Sequence, residues 1–232
     1  MPSNWSKGLK KETNVSVRKI SETMKHRKLD NFSIWRERMK KEGKIKSVYP
    51  KLKKDGDLAE LIGVVLGDGH ICVYPRTEEL RLTSNANNFG FINRYAVIMK
   101  KVFGKIPYII NSNQSNSTKI GLYEKYISER MGIPSGARKN LVINVPKWIF
   151  LEKKYILRYL RGLYEAEGSL NFHKKTYTHK LIFANVNKSM LDNVFNLMEK
   201  VGFHPHRSTD KIQLSRKKEV QEAVRMIKFR KY

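Results

Sequence analysis

The sequence predicts an α+β protein in which one α-β-β-α-β-β-α unit is made twice, over residues 55–150 and 151–232, behind a basic appendage at 1–54. Three observations point there. The segment Leu61-Ile62-Gly63-Val64-Val65-Leu66-Gly67-Asp68-Gly69 returns as Leu160-Arg161-Gly162-Leu163-Tyr164-Glu165-Ala166-Glu167-Gly168. Both run from apolar residues to a small residue, an acid and a glycine, so the chain carries an internal repeat. Asn85-Ala86-Asn87 and Asn185-Val186-Asn187 occupy matching places in the two copies and support the duplication independently. In Leu80-Arg81-Leu82-Thr83 and Lys211-Ile212-Gln213-Leu214, apolar and polar residues alternate, as in antiparallel strands with one covered and one open face.

The appendage holds 17 Lys and Arg against 5 Asp and Glu, a net +12, with few apolar clusters of core size. Thr13 or Asn14 can cap a helix through Val17, Ile20 and Met24, with Arg18, Lys19 and Lys25 facing outward. A second helix is expected over 31–41, where Ile34, Trp35 and Met39 alternate with Arg36, Arg38 and Lys40. The basic stretch 44–54, with Pro50, reads as an extended linker able to follow a phosphate backbone. Trp5, Phe32 and Trp35 among the charges argue for an ordered element rather than a solvated tail.

In the first copy, the helix that ends at Gly69 leads to strands over 71–74 and 79–84, a helix over 88–103, strands over 106–111 and 118–123, and a helix over 125–131. Pro146-Lys147-Trp148 then reads as a cap and staple for the helix that carries the second repeat. The second copy follows the same order. Its strands are expected over 169–173, 179–185, 204–208 and 211–215, and its helices over 188–201 and 216–226.

Composition narrows the partners. With 232 residues and 40% hydrophobic content the chain can bury a real core, and its charge of +26 predicts a large polyanion. Nucleic acid is the leading candidate, because no apolar run reaches the roughly 18 residues of a spanning helix and no signal-peptide core follows Met1. A membrane partner is not expected. The single cysteine, Cys72, excludes an intrachain disulfide and a zinc ribbon and suits a reducing, intracellular setting such as cytoplasm, nucleoid or organelle.

The repeat itself carries the chemistry. Small residues at i and i+4, Gly63 and Gly67 in one copy and Gly162 and Ala166 in the other, give each helix a face flat enough for another backbone to approach. Packed side by side and parallel, the helices would bring Asp68 and Glu167 together just before the glycines that stop them. Two carboxylates at two negative helix ends repel unless a divalent cation sits between them, the arrangement expected of a metal-dependent phosphodiesterase. The open strand faces, with Arg81, Thr83, Lys211 and Gln213, carry side chains that read base edges in the major groove.

The paired segments resemble the LAGLIDADG motif of homing endonucleases and intron maturases, and the element order of 57–232 is similar to theirs. The resemblance implies a single-chain, monomeric, site-specific double-strand DNA endonuclease of a mobile genetic element. Two pseudo-twofold halves would straddle a long asymmetric DNA site as a saddle of antiparallel sheets, and Mg²⁺-assisted hydrolysis would leave short 3′ overhangs. It implies that Asp68 and Glu167 hold the metal, with support from the carbonyls of Gly67 and Ala166, and that Gly63, Gly67, Gly162 and Ala166 form the helix interface. Asn85 and Asn185 fall where family members place a polar catalytic residue, but Ala86 and Val186 follow where a lysine is usual. Lys139, in Gly136-Ala137-Arg138-Lys139, supplies a cation from another loop, with no evident counterpart in the second half. DNA contacts are implied for Arg81, Thr83, Lys119, Lys180, Arg207, Lys211 and Gln213 on the sheets.

The appendage is similar to a nuclease-associated modular DNA-binding element at Glu12-Thr13 and Val17-Arg18-Lys19-Ile20-Ser21-Glu22-Thr23-Met24-Lys25. That likeness implies an extended grip on DNA through Lys7, Lys10, Lys11, Arg18, Lys19 and Lys25. The alternative reading, motivated by Ala86 and Val186, is a non-cutting intron RNA maturase or DNA-binding regulator of the same fold. Other signals read as structural: His204-Pro205-His206 lacks a third ligand, His70 is a loop residue near the site, and Glu165 lies on a different helix face from Glu167.

Overall fold

The computed structural model describes residues 6–30, 32–174 and 177–232; Trp5 and Asn31, both expected in the appendage, lie outside the described residues. The chain divides into two compact units, Met1–Tyr49 and Pro50–Tyr232.

The first unit holds α1 (Val15–His26) and α2 (Ser33–Lys41). Of the two candidate caps, Asn14 serves: its Oδ1 accepts the N–H groups of Ser16 and Val17 at 3.0 and 3.1 Å. Thr13 instead donates its hydroxyl to the Lys10 carbonyl. α2 starts without a side-chain cap, because Asp30 takes the N–H of Phe32 and pairs with Arg36 one turn further on. Neither helix buries a residue, and none of the described residues of this unit is buried.

The second unit begins before Asp55: Leu52 is buried in its core, and the Pro50 carbonyl accepts Nε–H of Arg130 at 3.0 Å. It contains α3 (Gly56–Asp68), β1 (Gly69–Tyr74), β2 (Thr77–Asn85), α4 (Phe89–Phe103), β3 (Tyr108–Asn111), β4 (Ser117–Glu124) and α5 (Ile127–Met131). A 3₁₀ turn at Lys147–Leu151 follows, then α6 (Lys153–Glu167), β5 (Gly168–His173), β6 (Thr178–Ala184), α7 (Lys188–Lys200), β7 (His206–Arg207), β8 (Lys211–Leu214) and α8 (Lys217–Ile227). Both sheets are antiparallel with equivalent orders, β1-β2-β4-β3 and β5-β6-β8-β7. Two edge strands are shorter than their apolar content suggests. β3 starts at Tyr108 and β7 at His206, each directly after a proline, Pro107 and Pro205, which has no N–H to give a ladder.

Alternation decides what each sheet covers. Leu80, Leu82, Ile120 and Leu122 of the first sheet pack on Tyr95 and Met99 of α4, and Leu181, Phe183, Ile212 and Leu214 of the second pack on Leu191, Val194 and Met198 of α7. The two motif helices, α3 and α6, lie at the centre and belong to one continuous core with both layers. α3 is buried on every side from Leu58 to Leu66 and is apolar there apart from Glu60, and Asp55 caps it by accepting from Asp57 and Leu58. At the far end of the pair, the fully buried Glu60 accepts Nε–H and Nη2–H of Arg94 at 2.5 and 2.7 Å and Nε–H of Arg158 at 2.5 Å, which ties α3, α4 and α6 together. Trp148, in the 3₁₀ turn, stacks edge-on against Tyr155 of α6, with ring centres 5.6 Å apart. Among the described residues no helix is long and apolar enough to cross a membrane.

Candidate functional site

The small residues of the motif helices stand at points of backbone contact. A Cβ on Gly162 would lie 2.1 Å from the Glu60 carbonyl oxygen, and one on Gly63 would lie 2.3 Å from that of Tyr159. One turn on, a Cβ at Gly67 would meet the Cβ of Ala166 at 2.4 Å and Cγ of Glu167 at 3.2 Å. The helices therefore touch along Gly63–Gly162 and Gly67–Ala166, and their C-terminal ends arrive together. The glycines that follow the acids serve a different purpose from a left-handed cap. Gly69 and Gly168 are extended, with φ of −86° and −89°. Their Cβ atoms would strike Val65 Cα at 2.4 Å and the Tyr164 oxygen at 2.3 Å. Each helix passes directly into a strand folded back across its own last turn, and only glycine leaves room.

Asp68 and Glu167 are thereby neighbours. Asp68 opens to solvent on one side, Glu167 is half-buried, and loss of water pushes both carboxyls above their usual range. For Glu167 the charge of Asp68 adds to the shift. The carbonyls of Gly67 and Ala166 lie in the last helical turns, where no intrahelical N–H can reach them. The donor set is all oxygen, two carboxylates that repel each other beside carbonyls of the last helical turns, and it fits a hard divalent cation such as Mg²⁺. Among the described residues no cluster of three or more His, Cys, Asp or Glu offers a richer metal site. Glu165 is buried on another face, where it accepts the Arg230 N–H at 2.7 Å and the Tyr232 hydroxyl. His204 faces Glu219 rather than a metal.

Beside Glu167 opens a cavity of about 510 Å³, lined among others by Gly67, His70, Arg138, Lys139, Glu167 and Asn185. Lys139 thus joins the acid from the segment after α5. Arg138 next to it donates through Nη2 to the carbonyls of Val65, at 2.7 Å, and Gly69, while its buried Nη1 has no partner among the described residues. Burial lowers the affinity of this guanidinium for its proton. His70 lies on β1 rather than in a loop and lines the cavity. Asn185 donates from Nδ2 to Glu167 at 3.5 Å, but its Oδ1 is engaged by the Asn187 N–H at 2.8 Å. Asn85 makes the same turn, Oδ1 to the Asn87 N–H at 2.9 Å, and its further partner is Asn116. Both asparagines therefore shape the entry to the middle helix of their half, and Asn185 alone of the two bonds to a motif acid.

The basic pair does have a counterpart, contrary to the sequence expectation. Arg230, after α8, donates through Nη2 to the Gly168 carbonyl at 3.4 Å, as Arg138 does to that of Gly69. Lys231 follows Arg230 as Lys139 follows Arg138. The recurring Arg-Lys dipeptide was visible in the sequence, but only the shared carbonyl contact gives it meaning. The two segments also dock alike. Arg138 and Leu141 carbonyls accept Nδ2–H of Asn187 at 2.8 Å at the start of α7, while the Tyr232 ring covers Gly90 at the start of α4.

Pairing register sorts the implied DNA contacts. Arg81, Thr83 and Lys119 share the open face of the first sheet, with Thr83 directly opposite Lys119. Lys180, Lys211 and Gln213 share that of the second. Arg207 does not. It is opposite the buried Ile212, on the helix side of the sheet, and pairs with Asp192 of α7; His206, opposite Gln213, holds the open-face position instead. Nor is the first face uniformly basic. Glu79 is buried in it beneath Tyr74, Tyr108 and Arg81, whose hydrogen bonds and charge outweigh the cost of burial and hold its carboxyl low. In the N-terminal unit Lys7, Lys10, Lys11, Arg18, Lys19 and Lys25 are all exposed.

Residues 154–229 match the family model of the LAGLIDADG-like domain. The chain is 28% identical over 122 residues to a glutamine–fructose-6-phosphate aminotransferase of Methanocaldococcus jannaschii, and 28% identical over 166 residues to an uncharacterized protein of the same organism. These matches take in 51% and 65% of this chain but 11% and 56% of the relatives, so the chain spans only part of the length of either. Among solved structures, I-DmoI in complex with DNA and Mn aligns over 74% of this chain and 96% of its own, with a TM-score of 0.52 and 17% identity. Full-length DUF199/WhiA from Thermatoga maritima aligns over 79% of this chain and 58% of its own, with a TM-score of 0.52 and 17% identity. The unit from Pro50 to Tyr232 therefore has the LAGLIDADG fold, with both motif helices in one polypeptide, and its second half is similar to the LAGLIDADG-like domain family.

Proposed function

We propose that this protein is a site-specific endonuclease that binds double-stranded DNA across its two open sheet faces and hydrolyses one phosphodiester in each strand with a divalent cation, preferentially Mg²⁺. The observation that carries the reading is the glycine contact of α3 and α6, which forces Asp68 and Glu167 together at an energetic cost that a mere binding scaffold would not need. The net charge of +26 and the basic open-face side chains suit a polyanion.

Asp68 and Glu167, with the Gly67 and Ala166 carbonyls, would hold the cation. A bound divalent cation supplies an acidified water and offsets charge on the leaving oxygen. The rest falls to the side chains. Lys139 and the unpaired Nη1 of Arg138 draw a phosphate into the cavity, and Asn185 steadies Glu167 through its one free donor group. The N-terminal unit adds an independent basic grip through α1.

Duplexes recovered from a random-sequence pool by binding in Ca²⁺ provide the substrate for the test. In Mg²⁺ the protein cuts them, while Asp68→Asn and Glu167→Gln each abolish cutting and leave binding within about threefold. Full cleavage by both variants refutes the assignment. Ala86 and Val186, where a lysine is usual, favour a second reading, a non-cutting binder of DNA or intron RNA, which tight binding without cleavage would support.

A further inference from the structure

The open face of the first sheet carries a buried carboxylate. Glu79 is only 4% exposed, although it stands on the side of β2 that faces away from the helices. Its Oε2 accepts the Tyr74 hydroxyl at 3.0 Å and its Oε1 accepts that of Tyr108. Tyr108 reaches it across β4 because Gly121, paired with both Tyr108 and Arg81, has no side chain: a Cβ there would lie 2.5 Å from the Tyr108 hydroxyl oxygen. Arg81, next along the same face, brings Nη1 to 4.0 Å from Oε2 of Glu79, and its Nε and Nη2 make no hydrogen bond among the described residues. The fold does not require this cluster. Leu82 is opposite Gly69 and Phe183 is opposite Gly168, so Lys180 and Ile182 hold the corresponding places in the second sheet, and Gln213 stands where Gly121 does.

A lone carboxylate facing DNA opposes binding, and a lone arginine there is drawn to the nearest phosphate. Side by side, the two cancel in charge, and the guanidinium keeps its rigid fork of donors without the pull toward the backbone. The Nε–Nη2 edge left open on Arg81 has the geometry that pairs with the O6 and N7 acceptors of guanine in the major groove. Glu79 does not turn to another partner, because the tyrosines hold both of its oxygens. Resting on the reading that the open sheet faces hold DNA, we propose that Arg81 reads one guanine of the target and that Glu79 is the positioning residue that keeps it on the base edge and off the phosphates. With Lys180 and Ile182 at the matching places, the second sheet has no such couple, so this guanine contact belongs to one half of the site.

The test is read in binding alone, with the full chain, Ca²⁺ and a duplex selected from a random pool. Each guanine is replaced in turn by 7-deazaguanine, which removes the N7 acceptor and leaves base pairing and phosphates unchanged. One replacement is expected to weaken the parent about tenfold and Arg81→Ala by less than about twofold. Arg81→Ala should leave the slope of log affinity against log salt unchanged, since the couple it breaks is neutral with Glu79 protonated by none of its partners and Arg81 charged. Glu79→Gln frees the arginine for a phosphate, so the slope should steepen by about 1 while the guanine dependence falls to about threefold or less. Tyr108→Phe keeps every charge, and should reduce the guanine dependence without moving the slope; melting curves check that each variant is folded. If Arg81→Ala lowers the slope by about 1 and every 7-deazaguanine effect persists, Arg81 holds a phosphate and the proposal fails with the DNA reading intact. If Glu79→Gln and Tyr108→Phe change neither quantity, Glu79 has no positioning role. A parent without any guanine dependence, whose slope is also unmoved by Lys211→Ala, overturns the sheet-face reading as well.

Discussion

Replacing Gly162 with alanine tests the helix contact on which the site depends. The new Cβ would lie 2.1 Å from the Glu60 oxygen, 2.6 Å from Val64 N and 3.0 Å from Gly63 C, all main-chain atoms that cannot rotate away. An ordinary contact begins near 3.4 Å, so α3 and α6 must part by about 1.3 Å at this point. A gap of that order forfeits roughly half of each facing dispersion contact and opens voids along two buried helices, a loss of about 4 kcal/mol. Alanine's better helix propensity returns about 1 kcal/mol. The net destabilisation of about 3 kcal/mol lowers the melting temperature by roughly 6–12 °C for a chain of this size. Gly56→Ala, at the start of α3, meets only the flexible Arg158 side chain at 3.2 Å and serves as the control with little change. Thermal melts and urea titrations of the three proteins decide the matter. If Gly162→Ala melts within a degree or two of the parent, the helices do not touch as described and the reason for the repeat's glycines fails.

Both motif carboxyls are raised in the folded chain, so their contribution is complete below the ordinary carboxylate range and is lost as pH rises and they ionise. Asp68→Asn should therefore melt higher than the parent at pH 7.5 and level with it at pH 4, as scanning calorimetry would show. Mg²⁺ should raise the parent's melting temperature more at pH 7.5 than at pH 5, because only the ionised pair binds it. On DNA, Lys211→Ala should reduce the slope of log affinity against log salt by about 1, whereas Arg207→Ala, which faces Asp192, should leave it unchanged. Equal effects of the two substitutions would contradict the face assigned to Arg207.

The architecture was legible because its signals are local and repeated. Two motif segments, two Asn-X-Asn turns and clean alternation in β2 and β8 specify nearly every helix and strand, and β3 and β7 start later than their apolar content suggests because Pro107 and Pro205 have no N–H for the ladder. The role of Gly69 and Gly168 was less legible. Helix-stopping glycines are usually left-handed, and only the fold shows a strand laid over the helix's last turn.

By itself the sequence determined the duplication, the acids and the basic character, because period, spacing and charge are properties of neighbours along the chain. Tertiary structure decided which polar groups share a space. It turned Arg207 toward a helix, buried Glu79 under tyrosines, engaged Asn85 and Asn185 in turns, and matched Arg230-Lys231 with Arg138-Lys139 across the pseudo-twofold. Those outcomes depend on strand register and on contacts between residues far apart in sequence, such as Arg138 with Val65 and Asn187, and no local pattern specifies them.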